Sequence, residues 1–107
     1  MSVYVDPAAN KFGRMLMCHM WADSEAEMHA MADHIGVARK HFQSPPNASW
    51  HHYDICKAKR ALAVAAGAIE MDRFAALEHT AKLKGNDALL ARIAMLREQR
   101  EGGGGHD

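Results

Sequence analysis

Residues 14–36, RMLMCHMWADSEAEMHAMADHIG, leave little freedom in how this chain folds. Met15 to Trp21 is apolar at every position but His19, and the run is bounded by Gly13 and by Ala22-Asp23. An apolar run this short, flanked by turn residues, reads as a strand buried on both faces. Alternation puts Met15, Met17, His19 and Trp21 on one face and Leu16, Cys18 and Met20 on the other. Ser24-Glu25-Ala26-Glu27 then matches a capping box, in which the serine and the second glutamate satisfy free N–H groups of a new helix. Met28, Met31, Ala32 and Ile35 follow at helical spacing, and Gly36 stands where a left-handed residue ends a helix. A buried strand feeding an amphipathic helix must be covered by further layers.

The remainder supplies them. Val3–Asp6 reads as a first strand with the acid at its end, and residues 8–13 as a loop. Val37–Phe42 has weaker strand character. Gln43–His51, with two prolines, is a loop. Asp54 reads as the N-cap of a helix carrying Ile55, Ala58, Leu62, Ala65, Ala66 and Ile69 in one stripe. Ala68–Met71 is a short last strand. Asp72 opens a helix over Arg73–Lys84, and Asn86 or Asp87 opens another over Ala88–Arg100. The expected fold is a small single-domain α/β or α+β protein. Its short, mostly parallel or mixed sheet has about four strands, with flanking helices and a C-terminal helical hairpin. Residues 3–71 form the core, 72–100 the hairpin, and the glycine-rich residues 101–107 a disordered tail.

Composition removes several function classes. Lysine plus arginine and aspartate plus glutamate are both 13 in 107 residues, so binding nucleic acid through net charge is disfavoured, although a local basic patch survives the average. No apolar run is long enough to span a bilayer. MSVYVDPAAN lacks the basic start and apolar stretch of a secretory leader. Cys18 and Cys56 have no CxxC partner and read as reduced thiols, which makes a cytoplasmic protein the expectation. P-loop, GxGxxG, GxSxG and zinc-finger spacings do not occur.

Eight histidines make the chain rich in imidazole. Asp6 ends a strand, and His52 and Asp54 follow a long loop. Ligands in open α/β sheets gather at such strand ends. Asp6, His52 and Asp54 are therefore the candidate metal ligands, the structural alternative being a turn former, a loop histidine and an N-cap; imidazole with carboxylate suits Zn, Mn or Fe better than Ca. His19, a lone imidazole in an apolar strand, is with Asp6 the catalytic candidate, as a proton shuttle. Its structural alternative is a core histidine bonded to a backbone carbonyl. Arg14, Lys57 and Arg60 flank the site and would bind a phosphate-bearing ligand; the alternative is a solvated helix face. Glu25, His29 and Asp33 form an i, i+4, i+8 ridge, read as solvated. A copper(I) site on Met15, Met17, Cys18 and Met20 is disfavoured because alternation splits them between two faces.

The segments VYVD (3–6), FGRMLMCHMWAD (12–23), EMHAMADHIGVAR (27–39), HYDI (52–55) and KRALAVAAGAIE (59–70) resemble a family of short bacterial and phage proteins known only as a domain of unknown function, DUF4031-like. Its motif positions include Asp6, His19, His29, His52, Tyr53 and Asp54. The resemblance spans Val3 to Met71 and implies a shared fold and site, but no particular activity. Occurrence in phage implies a lean toward nucleotide or nucleic-acid metabolism by analogy alone. Two functions stay open at this point. One is a His/Asp site that binds a divalent metal or a phosphate-containing small molecule or nucleotide, with phosphoester hydrolysis as its reaction. The other is a non-catalytic module that pairs with a partner or with its own copy through residues 86–100.

Overall fold

β3 (Met15–Ala22) is the spine of the sheet, because strands pair along both of its edges. The computed structural model describes residues 2–48 and 50–104. In chain order the other elements of the first unit are β1 (Val3–Val5), β2 (Asn10–Phe12), α1 (Glu25–Ile35), β4 (Phe42–Gln43), β5 (His52–Cys56), α2 (Lys57–Ala65) and β6 (Ile69–Glu70). The sheet runs β4-β5-β3-β1-β6, and β2 also pairs with β3. Only β1–β6 is parallel among the described pairs, so the sheet is mixed rather than mostly parallel. The fold is α+β, with more strands than the four expected from the sequence.

The capping box and the terminal glycine behave as local chemistry dictates. Ser24 Oγ accepts from Glu27 N–H at 3.2 Å, while the Glu27 carboxylate accepts from the Ser24 hydroxyl instead of reaching the serine backbone. Gly36 has φ +78° and returns its N–H to Ala32 and Asp33 carbonyls. Met28, Ala32 and Ile35 of α1, with Ala63 of α2, pack on Val5, Cys18, Met20, Tyr53 and Ile55. Full burial of side chains the size of Met20 or Ile55 stabilises by about 1.5–3 kcal/mol each. The helices thus cover one face of the sheet.

Several elements differ from the expectation. Asp54 is not an N-cap: His52–Cys56 is a strand paired with β3, and α2 begins at Lys57. Trp50, His52, Asp54 and Cys56 alternate with His51, Tyr53 and Ile55, and Tyr53 and Ile55 of the second set enter the core. The span read as a loop before Gly13 contains β2, closed onto β3 through Gly13 at φ +60°. Residues 39–41 form a 3₁₀ turn, leaving only Phe42–Gln43 as strand. β3 is buried from Cys18 onward, apart from the half-buried His19, whereas Met15 and Leu16 are exposed where only β2 flanks them.

β1 and β2 lie along the same edge of β3, opposite β5, and between them the register breaks. Val5 pairs with Met20 and Asn10 with Met17, so four residues on one side face two on the other. Such an excursion is a bulge, and Pro7 lies within it, where no N–H is needed.

A second compact unit, Phe74–Asp107, contains α3 (Ala75–Lys84) and α4 (Asp87–Gly104). Gly85 is left-handed, and Asn86 Oδ1 accepts from Leu89 N–H at 3.0 Å, which caps α4. α3 starts after Phe74, so Asp72 is not its cap. Ile93 is buried, Leu89 and Leu90 are half-buried, and Arg97 pairs with Glu78. α4 reaches Gly104, into the expected tail; residues 105–107 lie outside the described ones.

Candidate metal centre

His19 and Asp54 face each other across β3 and β5, and His52 lies two residues from Asp54 on the same strand face. All three therefore project from the sheet face opposite the helices. One ligand atom from each falls within 4.8 Å of the others. His52 Nε2 is 3.4 Å from Asp54 Oδ1, and His19 Nε2 is 3.9 Å from the same oxygen. Ligands on bonds of about 2.1 Å in a tetrahedral site stand roughly 3.4 Å apart, so small side-chain rotations would bring the set onto one ion.

Both imidazoles are oriented for that. His52 Nδ1 lies 3.1 Å from the Trp50 carbonyl, which can only accept, so Nδ1 is held as a donor and Nε2 is the nitrogen left to serve a metal. His19 Nδ1 lies 2.7 Å from Asp6 Oδ2 and donates to it. Metal-bound histidines almost always hold their second nitrogen in this way. Asp54 keeps Oδ1 toward the imidazoles because its Oδ2 accepts from Gln43 Nε2 at 2.6 Å. Trp50 stacks on His52, with ring centroids 4.4 Å apart, and its ring also meets His19 and Trp21. This wall keeps His52 buried.

The register break is what places Asp6. Asp6 N–H still donates to the His19 carbonyl, as an antiparallel pair requires. The reciprocal bond is altered: His19 N–H donates to the Asp6 carboxylate at 2.7 Å instead of to the Asp6 carbonyl. That carbonyl accepts from Arg60 Nε at 2.8 Å, and Arg60 also pairs with Glu70 at 3.0 Å. Asp6, only 5 % exposed, thus spends both oxygens on His19.

Electrostatics follow from these contacts. The Asp6 hydrogen bond, opposed by partial burial, holds the His19 pKa above its ordinary value. The His52 contact, reinforced by Gln43, holds Asp54 below the ordinary carboxylate value. Burial pushes the Cys18 thiol up to about 12.

The nominated residues therefore fall into different places. His52 and Asp54 meet, and His19 joins them where the sequence suggested Asp6; Asp6 is the residue behind His19. Arg60 is committed to the Asp6 backbone and Glu70. Arg14, Lys57 and Arg60 do not line the groove of about 920 Å³ onto which His19 and Asp54 open; Lys11 and Lys59 do. His29 is no solvated ridge residue: its Nδ1 is 2.7 Å from the buried Tyr53 hydroxyl, and its ring packs on Phe42. Sequence reasoning missed Trp50 and made little of Gln43. The period-two pattern of Trp50, His52 and Asp54 was the available signal.

No helix of the described residues is long and apolar enough to cross a membrane. Neither the curated proteins nor the solved structures contain a match to this chain. A family model described as "Protein of unknown function (DUF4031)" matches residues 3–83, which include every member of the His/Asp cluster. Since that match covers more than half of the 107 residues, the chain belongs to the DUF4031 family.

Proposed function

We propose that His19, His52 and Asp54 bind a divalent transition metal, with zinc or manganese fitting the donor set, and that the centre acts on a phosphate-containing ligand. One observation carries the reading: two imidazoles, each tied through Nδ1, turn their Nε2 atoms toward one carboxylate oxygen. Asp6 and Gln43 act as positioning residues for His19 and Asp54. A cation held there supplies Lewis-acid polarisation of a phosphoryl oxygen, which suits phosphoester hydrolysis. In that reaction a water oxygen bonds to phosphorus, the ester P–O bond breaks, and the proton passes to the leaving oxygen. The free thiols Cys18 and Cys56 suit a cytoplasmic setting.

The test is elemental mass spectrometry on untagged protein purified without chelator or nickel resin. Near-stoichiometric zinc or manganese is expected, and it should be lost from the His52→Ala/Asp54→Ala double variant. Equal metal content in a folded double variant refutes the assignment.

A second reading has its own observation. The α3–α4 unit leaves Leu77, Leu83, Met95 and Leu96 exposed, an apolar surface suited to pairing with a second copy. Light scattering at micromolar concentration should then give a dimer that Leu83→Glu with Met95→Glu returns to monomer. A sharp monomer in the parent chain refutes this reading.

A further inference from the structure

The groove beside the His/Asp set has a composition that selects a ligand. Its walls come from the β2–β3 hairpin, from the segment following α1, and from β5. At about 920 Å³ it is far larger than inorganic phosphate requires and falls in the range of sites for small organic ligands. Among its described lining residues the only carboxylate is that of Asp54, which belongs to the metal set. Lys11, Lys59 and His41 provide the other ionisable polar groups apart from the Cys56 thiol and His19. Lys59 gives one hydrogen bond to the Ile35 carbonyl at 3.0 Å. Away from the metal set, an anionic ligand is therefore favoured in the groove.

The apolar wall is equally specific. Phe12 is 73 % exposed and Met15 46 % exposed, and both line the groove together with Met17. A bare aromatic ring beside two thioethers offers a flat, polarisable contact for the face of a heteroaromatic ring. Stacking of bases on exposed aromatic side chains is a general mode of nucleotide recognition.

We propose that the groove takes a nucleoside monophosphate, with its base against Phe12 and its phosphate directed toward the His19–His52–Asp54 set, Lys11 adding positive charge to the groove. The assignment rests on the metal reading for the phosphate end and on the hairpin wall for the base end, so the two can fail separately.

The experiment is isothermal titration of the zinc-loaded full chain with adenosine monophosphate, ribose 5-phosphate, adenosine and inorganic phosphate. Zinc affinity is measured on the same preparations by chelator competition. Adenosine monophosphate should bind at least about tenfold tighter than ribose 5-phosphate or adenosine. Phe12→Ala should remove that advantage, a loss of about tenfold to a hundredfold, while leaving ribose 5-phosphate and zinc binding unchanged. Lys11→Glu should weaken both phosphates and spare adenosine. Equal affinity for adenosine monophosphate and ribose 5-phosphate overturns the nucleotide assignment even where zinc binds. So does binding of a single-stranded oligonucleotide without measurable mononucleotide binding. If zinc itself does not bind, the metal reading falls. The same titration on metal-free protein then decides the groove: a Phe12-dependent preference for the nucleotide supports it, and no preference overturns it.

Discussion

Asp6→Asn isolates the contribution of the residue behind His19. The substitution keeps the shape of the side chain and one accepting oxygen. Two donors compete for that oxygen, His19 N–H and His19 Nδ1–H, both now 2.7 Å from a carboxylate oxygen. The amide satisfies both partners in one arrangement only: its oxygen accepts from the backbone N–H and its NH₂ donates to Nδ1. The imidazole proton then moves to Nε2, where the metal would bind. Restoring a free Nε2 lone pair would set Nδ1–H against the amide NH₂ in a largely buried place, an unsatisfied donor costing about 1–3 kcal/mol. That cost corresponds to a loss of zinc affinity of roughly fivefold to 150-fold, and loss of a carboxylate behind a metal-bound histidine typically weakens binding by about 10–100-fold. The fold itself should survive, because the backbone N–H keeps its acceptor. Replacing charge-assisted hydrogen bonds by neutral ones costs about 1–2 kcal/mol, or several degrees of melting temperature in a domain this size. Two measurements check the argument. Long-range ¹H–¹⁵N correlation spectra report the His19 tautomer, and competition with a chromophoric chelator reports zinc affinity. Zinc affinity within twofold of the parent chain, with the His19 proton shown to reside on Nε2, would refute the reasoning.

Three further outcomes are expected. His19 has a pKa raised above 6.5, so its contribution to stability is complete below 6.5 and is lost as pH climbs through the raised value; Asp54 has one lowered below 3.8, so its contribution is present above 3.8 and is lost as pH falls through the lowered value. Urea unfolding of metal-free protein should show the cluster's contribution to be greater near about pH 5.5 than near about pH 8, and His19→Gln should remove that part of the difference. Gly36→Ala forces a side chain into φ +78° with its Cβ 3.2 Å from Lys59 Nζ, so a loss of about 1 kcal/mol and a melting temperature lower by about 4–8 °C are expected; an unchanged melting curve contradicts the cap. Cys18, pushed up to about 12 and buried, should resist iodoacetamide in the native protein while the partly exposed Cys56 reacts, and mass spectrometry of the labelled peptides distinguishes the two.

What could be read from the chain was whatever its neighbours in sequence decide. Ser24, Glu27 and Gly36 fix the ends of α1 through contacts a few residues long, and they act as expected. Asn86 and Gly85 do the same for α4 and α3. The errors lie where pairing partners are remote. β2 is three residues that hold strand geometry because β3 lies beside them. Asp54 precedes a lysine-rich helical stripe and so resembles a cap, but the better account is its alternation with Tyr53 and Ile55. His29 looks solvated on a helix drawn alone and meets Tyr53 only when that helix packs. Asp6, His19, His52 and Asp54 could all be nominated as chemically suitable. Which of them converge depends on the β3–β5 register and the β1–β2 break, and neither is written in local periodicity.

The exchange at Asp6 also alters the sheet as a mechanical object. One rung of the central ladder is closed by a carboxylate rather than by a peptide carbonyl, and the displaced carbonyl is retained by a guanidinium from α2. Ordinary rungs cannot be edited without changing the backbone. This one can be cut by a single side-chain substitution, and it lies directly under the imidazole that completes the candidate centre. Strand cohesion and ligand orientation in this protein therefore share one carboxyl group, so a change that loosens the sheet there also turns His19.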